Sequence, residues 1–74
     1  MLNIHELDLL EIAGHRFAII RLDKFLDCWR CKMAVDGIPR SFYEPAENVD
    51  GMNTAEFEIY MKAQSLSAPI DRGD

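Results

Sequence analysis

The sequence predicts a small α+β domain in which two β-hairpins, about four antiparallel strands in all, form a sheet covered by one C-terminal α-helix. Three observations lead to this prediction: Asp36-Gly37 and Gly14-His15 each separate two apolar-rich runs, and Asn53 opens a capping box. A short glycine-containing pair between alternating residues is a strong signal for a two-residue hairpin turn. A capping box marks the first turn of a helix.

The first predicted hairpin pairs Leu7–Ile12 with Phe17–Leu22 around the Gly14-His15 turn. A Gly-X pair suits a type II′ turn, because glycine takes the positive φ of the first central position without a steric penalty. The register joins apolar residues and ends on a charge pair: Ile12 with Phe17, Leu10 with Ile19 and Asp8 with Arg21. Residues 23–24 then connect this hairpin to the next one.

A helix over residues 3–12 is the alternative for this first segment. Asn3 and Glu6 have the spacing of a capping box, and Gly14 stands where a helix often ends in glycine. The hairpin is the preferred prediction, because its register places apolar residues opposite each other on both strands.

The second predicted hairpin is centred on Asp36-Gly37, which suits a type I′ turn. Its register is Val35 with Ile38, Met33 with Arg40, Cys31 with Phe42 and Trp29 with Glu44. Because side chains alternate along a strand, one face is apolar and needs a cover. That face carries Trp29, Cys31, Met33, Val35, Ile38 and Phe42, and the other carries Arg30, Lys32, Ser41 and Tyr43. A helix over residues 22–35 is the alternative, but it leaves the strand over residues 38–43 without a neighbour.

A loop over Glu44–Gly51 and a helix from Thr54 to about Leu66 complete the domain. Asn53 is the predicted N-cap, Glu56 completes the capping box, and Met52 and Phe57 form a hydrophobic staple. A helical wheel gives three groups: Phe57, Tyr60 and Met61; Ile59, Ala63 and Leu66; and the polar Glu58, Lys62 and Ser65. Because this apolar surface exceeds what one small sheet requires, Ile59, Ala63 and Leu66 are the predicted contacts of a homodimer.

Composition limits the classes of function. The 74 residues, 49% of them apolar, are enough for one small core, so residues 1–66 are predicted as one compact domain. The aperiodic residues 67–74 are predicted as a flexible tail. Charges interrupt every apolar run, so we expect no secretion signal, no membrane span, a cytoplasmic location and free thiols.

Cys28 and Cys31 form a Cys-x-x-Cys pair, for which His5 and His15 are the remaining candidate zinc ligands. Residues three apart in a strand point to opposite faces, so the predicted hairpin disfavours a shared metal ion. No nucleophile or carboxylate stands at a recognisable catalytic spacing from either histidine. The sequence therefore predicts no enzyme activity, no metal and no cofactor, and a small zinc domain is the weakest alternative.

The formal net charge of −5 is unevenly distributed. Residues 16–40 carry six basic and three acidic side chains, whereas residues 41–61 carry five acidic and no basic ones. Phosphate binding needs a basic surface, so direct nucleic-acid binding is not expected and a partner protein with a basic surface is favoured. The predicted docking surface consists of Glu44, Glu47, Asp50, Glu56 and Glu58, with Tyr43 and Tyr60 as aromatic anchors. The face of Arg30, Lys32 and Tyr43 is the alternative contact surface.

Small size, acidity and the lack of a catalytic or targeting unit give the chain a general resemblance to the small inhibitor proteins encoded by bacteriophages and mobile elements, including anti-CRISPR and DNA-mimic proteins. This resemblance implies a block of a nucleic-acid-handling complex of the host, in which carboxylates stand in for phosphates. The alternative function is a structural or regulatory homodimer formed through Ile59, Ala63 and Leu66.

Overall fold

The computed structural model describes the backbone of residues 6–72 and the side chains of residues 9–72. The chain forms α1 (Glu6–Ile12), β1 (Phe17–Phe25), β2 (Cys28–Val35), β3 (Ile38–Pro45), a 3-10 turn (Ala46–Asn48) and α2 (Thr54–Ser65). The strands form one antiparallel sheet in the order β1-β2-β3. The α+β class is confirmed, but the sheet has three strands where about four are predicted.

The predicted first hairpin is wrong. Residues Glu6–Ile12 are helical, and Gly14 takes φ +86° just beyond the helix, so this glycine ends a helix and does not turn a hairpin. Leucine and glutamate are good helix formers, which favours the alternative that the sequence offers for this segment. Asn3, the N-cap of that alternative helix, lies outside the described residues.

β1 takes β2 as its partner, in the register Phe17–Val35, Ile19–Met33, Leu22–Cys31 and Phe25–Cys28, with a bulge between Ile19 and Arg21. Asp23 and Lys24, predicted as a connection, therefore lie inside β1. The actual connection is the two-residue turn Leu26-Asp27, in which Leu26 has φ +57°. Pairing with the central strand brings Phe17 and Leu22 of β1 against the core.

The predicted central hairpin is confirmed residue by residue. β2 and β3 pair Trp29–Glu44, Cys31–Phe42, Met33–Arg40 and Val35–Ile38. Asp36 and Gly37 have φ of +53° and +84°, the two positive angles of a type I′ turn. The alternative helix over residues 22–35 is therefore wrong.

The Asp36 side chain also holds the start of β1. Its Oδ1 atom accepts a hydrogen bond from the Arg16 N–H (2.9 Å), and its Oδ2 atom lies 2.7 Å from His15 Nδ1. The Arg16 hydrogen bond and then that of His15 lower the pKa of Asp36 from its ordinary value. One carboxylate thus joins the β2–β3 turn to the segment that follows α1.

α2 covers the apolar face of the sheet. Its capping box forms as predicted, since Asn53 Oδ1 accepts from the Glu56 N–H (2.8 Å) and Glu56 Oε1 accepts from the Asn53 N–H (3.0 Å). The core consists of Cys31, Met33, Val35 and Met61, with Phe17, Leu22, Trp29, Phe42, Phe57, Tyr60 and Leu66 packed around it. Ser65, predicted on the polar side, is fully buried and its hydroxyl donates to the Lys62 carbonyl oxygen (2.7 Å).

Residues 68–71 run along the outer edge of β3. Three hydrogen bonds hold them there, from the Ser41 N–H to Pro69 O (3.2 Å), from the Asp71 N–H to Pro39 O (2.8 Å) and from Arg40 Nη1 to Ala68 O (2.7 Å). Asp71 Oδ2 also lies 3.2 Å from Lys32 Nζ, which engages one of the two basic residues of the alternative contact face. The flexibility of residues 67–74 stays a prediction, and Gly73 and Asp74 lie outside the described residues. No helix within residues 6–72 is long and apolar enough to cross a membrane.

Candidate protein-binding surface

Glu44, the first member of the predicted docking surface, is buried at the end of β3. The residue is 6% exposed, and its Oε2 atom accepts hydrogen bonds from Asn48 Nδ2 (2.6 Å) and from the Tyr60 hydroxyl (3.0 Å). A buried carboxylate with two donors inside the chain stabilises the fold and is not accessible to a partner. Glu44 therefore does not contribute to an exposed docking surface.

Tyr60 is half-buried on α2 and is a partner of Glu44. The pKa of Tyr60 is raised to about 12, mainly by burial and to a smaller extent by the hydrogen bond to Glu44 and the charge of Glu44. The hydroxyl thus stays protonated at neutral pH and donates to Glu44. This hydrogen bond ties α2 to the end of β3.

Glu56 and Glu58 each have a partner within α2 or its cap. Glu56 is engaged with Asn53 in the capping box. Glu58 Oε1 lies 3.0 Å from Lys62 Nζ, and the Glu58 side chain is 50% exposed. An exposed i,i+4 ion pair contributes only about 0.3–0.5 kcal/mol, so Glu58 can exchange Lys62 for another cation at little cost.

Glu47 and Asp50 are exposed, and a third exposed carboxylate, that of Asp27, lies beside them. The three line one depression of 310 Å³. Its other lining residues are Lys24, Pro45 and Ala46. We call Asp27, Glu47 and Asp50 the acidic end. Three carboxylates against one ammonium group give this depression a net negative charge.

Backbone hydrogen bonds and buried side chains hold the acidic end in place. The Ala46 N–H donates to Asp27 O (2.7 Å), which joins the β1–β2 turn to the 3-10 turn that carries Glu47. Ala46 and Val49 are 7% and 6% exposed and anchor the loop on both sides of Glu47. A surface ordered before its partner arrives loses less conformational entropy on binding.

Leu26 precedes Asp27 in the β1–β2 turn and is both strained and exposed. Its φ of +57° lies in the left-handed region, and the residue is 80% exposed. The left-handed conformation costs an ordinary L-residue roughly 1–2 kcal/mol, and such strain is concentrated at functional surfaces. Leu26 gives the acidic end an apolar neighbour.

Tyr43 lies on the opposite face of the sheet from α2, next to Arg30 in the β2–β3 register. The residue is 69% exposed and lines a separate depression of 560 Å³ with Arg30 and Phe25. The predicted docking set thus divides between two surfaces, because Tyr43 is not brought together with Glu47 and Asp50.

The predicted dimer contacts Ile59, Ala63 and Leu66 are all half-buried. Leu66 packs against the core, and α1 packs against α2. The chain itself therefore covers much of the apolar surface of α2, and these three residues offer little area to a second copy.

Cys28 and Cys31 both lie in β2 and are free thiols. Cys31 is fully buried, and burial raises the pKa of its thiol to about 11. The two residues stand three apart in a strand, so their side chains point to opposite faces. Among the described residues, no group of three or more histidine, cysteine, aspartate or glutamate side chains could hold a metal ion. His5 lies outside the described residues.

Asp27 is the member of the acidic end that sequence reasoning missed. A weak signal exists, because two residues, Leu26-Asp27, separate the β1 run from Cys28. Leucine at a positive φ is rare, however, so this pair is not recognised as a hairpin turn.

Comparison of the chain with protein-family models, with curated proteins and with solved structures finds no match.

Proposed function

We propose that this chain is a small, cytoplasmic, non-enzymatic binding protein that blocks a nucleic-acid-handling protein by docking the acidic end onto the partner's basic surface. The observation that carries the proposal is the convergence of Asp27, Glu47 and Asp50 on one exposed depression from two separate segments. Carboxylates on a rigid support can occupy the arginine and lysine side chains that otherwise bind phosphates. The mode of action is that of the phage-encoded inhibitors which the sequence resembles.

Electrostatics favours a protein partner over nucleic acid. The chain has a formal net charge of −5, and the acidic end concentrates negative charge at one place. Opposite charges on two proteins accelerate their association, and salt screens this attraction. We therefore expect a complex that weakens as salt rises and that survives nuclease treatment.

Leu26 supplies an apolar contact beside the charges. Interfaces combine a desolvated apolar centre with a charged rim, and the exposed Leu26 side chain stands next to Asp27 in the same turn. We expect the partner to present an apolar pocket bordered by arginine or lysine. Leu26→Asn suits the positive φ and removes the apolar contact, so this variant should fold and bind less tightly.

The test is capture of the partner from a nuclease-treated bacterial lysate by the tagged chain, with variants of matched charge. Glu47→Lys/Asp50→Lys reverses two charges of the acidic end. Glu11→Lys reverses one exposed charge elsewhere on the chain and is the matched control for the single variant Glu47→Lys. The captured protein, once identified by mass spectrometry, is purified and its affinity for each variant is measured.

If the acidic end is the docking surface, Glu47→Lys/Asp50→Lys should lower the affinity about tenfold or more, and the control should change it little. The added chain should also displace nucleic acid from the purified partner. Equal losses for Glu47→Lys and Glu11→Lys would point to general charge attraction and contradict the proposal. A partner that still binds its nucleic acid in the presence of the chain would contradict the blocking mechanism.

A further inference from the structure

Within residues 6–72, β1 is the open edge of the sheet. In the order β1-β2-β3, residues 68–71 lie along the outer edge of β3, whereas no described segment pairs with the outer edge of β1. Alternate residues of Phe17–Phe25 thus present backbone donors and acceptors on the side away from β2. Such an edge is a template for another strand.

The inner side of β1 is also poorly covered. Ile19 is 52% exposed, and an apolar groove of 160 Å³ lies between β1 and α2. The groove is lined mainly by Ile19, Leu22, Cys31, Met33, Phe57 and Met61, so it reaches the core. A 74-residue chain has a marginal core, and oligomerisation is a common way to complete one of this size.

We propose that a second copy of this chain pairs with β1, antiparallel and edge to edge, about a two-fold axis at Leu22. Two three-stranded sheets then form one six-stranded sheet with both copies of α2 on the same side. This inference does not rest on the proposed function, since Asp27, Glu47 and Asp50 take no part in it.

Charge selects the register. Arg21 and Asp23 lie on the same face of β1, where Arg21 Nε is 3.1 Å from Asp23 Oδ2 within one chain. An axis at Leu22 places Arg21 of each copy opposite Asp23 of the other, which is a favourable cross-strand pair. An axis at Arg21 or at Asp23 places two like charges opposite each other. Among the possible positions of the two-fold axis after the bulge, only Leu22 places opposite charges across the interface.

The same axis joins the two apolar grooves. Leu22 lines the groove on the inner face, so the two copies of Leu22 meet at the axis and the grooves become continuous. Ile19, which is 52% exposed in the single chain, lines the same groove. Burial of these exposed apolar side chains is the driving force for the dimer, and the charges fix its register.

The test exchanges the two charges and measures mass by sedimentation over a range of concentrations. Arg21→Asp and Asp23→Arg are single variants that each place like charges across the interface, and Arg21→Asp/Asp23→Arg restores the complementarity. Both side chains are more than half exposed, 54% and 57%, so the variants should fold, which circular dichroism checks. Hydrogen exchange of the wild-type β1 amides at low and high concentration is an independent measurement.

We expect the wild-type protein and the double variant to dimerise alike, and each single variant to have a dissociation constant about tenfold higher. Mixing the two single variants should restore a dimer, because an all-acidic edge then meets an all-basic edge. The β1 amides should gain protection as concentration rises. A wild-type chain that stays monomeric at every concentration overturns the proposal. So does a dimer whose dissociation constant is the same for the wild type and for all of these charge variants.

Discussion

The two edge strands of the sheet, β1 and β3, have different surroundings although each pairs with β2 along its whole length. β3 carries the half-buried Phe42 and the buried Glu44, and residues 68–71 cover its outer edge. In β1 only Phe17 and Leu22 are even half-buried, and the other residues are exposed. Within residues 6–72, the outer edge of β3 is covered and the outer edge of β1 is open.

This difference shows that neighbours decide burial more strongly than residue type does. Ile19 is far more apolar than Arg40, yet Ile19 is exposed and Arg40 is half-buried between Met33 and the segment that contains Ala68. Stability is therefore concentrated in β2, β3 and α2, and β1 is available for association.

The largest expected effect on stability comes from truncating one residue on the inner face of each edge strand. Phe42→Ala should lower the free energy of unfolding by about 2–4 kcal/mol, because a ring packed against the core is lost. Ile19→Ala should lower it by less than about 1 kcal/mol in the monomer, because half of this side chain already meets water. Urea unfolding at low protein concentration measures both values. Similar losses for the two variants would remove the distinction between the strands.

Deletion of residues 68–74 should expose the edge of β3 and lower the free energy of unfolding by about 1–3 kcal/mol, through loss of the buried Ala68 and of hydrogen bonds to β3. Ile70→Ser is the matched control, since Ile70 is 52% exposed. In the intact chain the Ser41 and Asp71 amides should be protected from hydrogen exchange. Rapid exchange of these amides, with an unchanged unfolding curve after deletion, would support the flexible tail that the sequence predicts.

The smallest expected effect concerns the Glu44–Tyr60 hydrogen bond at the end of β3. Since folding raises the pKa of Tyr60 from 10.0 to about 12, the stability from this shift is complete below pH 10 and is lost as pH rises from 10 to 12. The difference in unfolding free energy between the wild type and Tyr60→Phe should shrink over this interval. Tyr43→Phe, which removes the hydroxyl of an exposed tyrosine in β3, is the control. A difference that does not change with pH would show that Tyr60 has the same pKa in the folded and unfolded chain.

The parts of the fold that follow from adjacent residues are predicted correctly. Asp36-Gly37 sets a turn and, with it, the register of β2 with β3, because the geometry of a two-residue loop fixes which residues face each other. Asn53 and Glu56 set the start of α2 through hydrogen bonds between residues three apart. Each of these interactions joins residues that are close in the sequence, so a local pattern is enough to predict it.

The candidate site is predicted only in part, because exposure depends on segments distant in sequence. Glu47 and Asp50 are exposed acids, as the polar loop indicates, but Glu44 is buried and accepts hydrogen bonds from Asn48 and Tyr60. Asp27 joins the acidic end through a contact with Ala46, nineteen positions along the chain. Tyr60 is sixteen positions from Glu44, so both outcomes depend on contacts between residues far apart in the sequence.

The sequence by itself determined the α+β class, the central hairpin with its register and the capped C-terminal helix, since each depends on hydrogen bonds between near neighbours. Only the tertiary structure decided that Glu6–Ile12 is a helix, that β1 pairs with β2 and that residues 68–71 lie along β3. These outcomes depend on which surface remains to be covered once the core has formed. The free energy that favours this arrangement comes from packing of the whole molecule and not from any one segment.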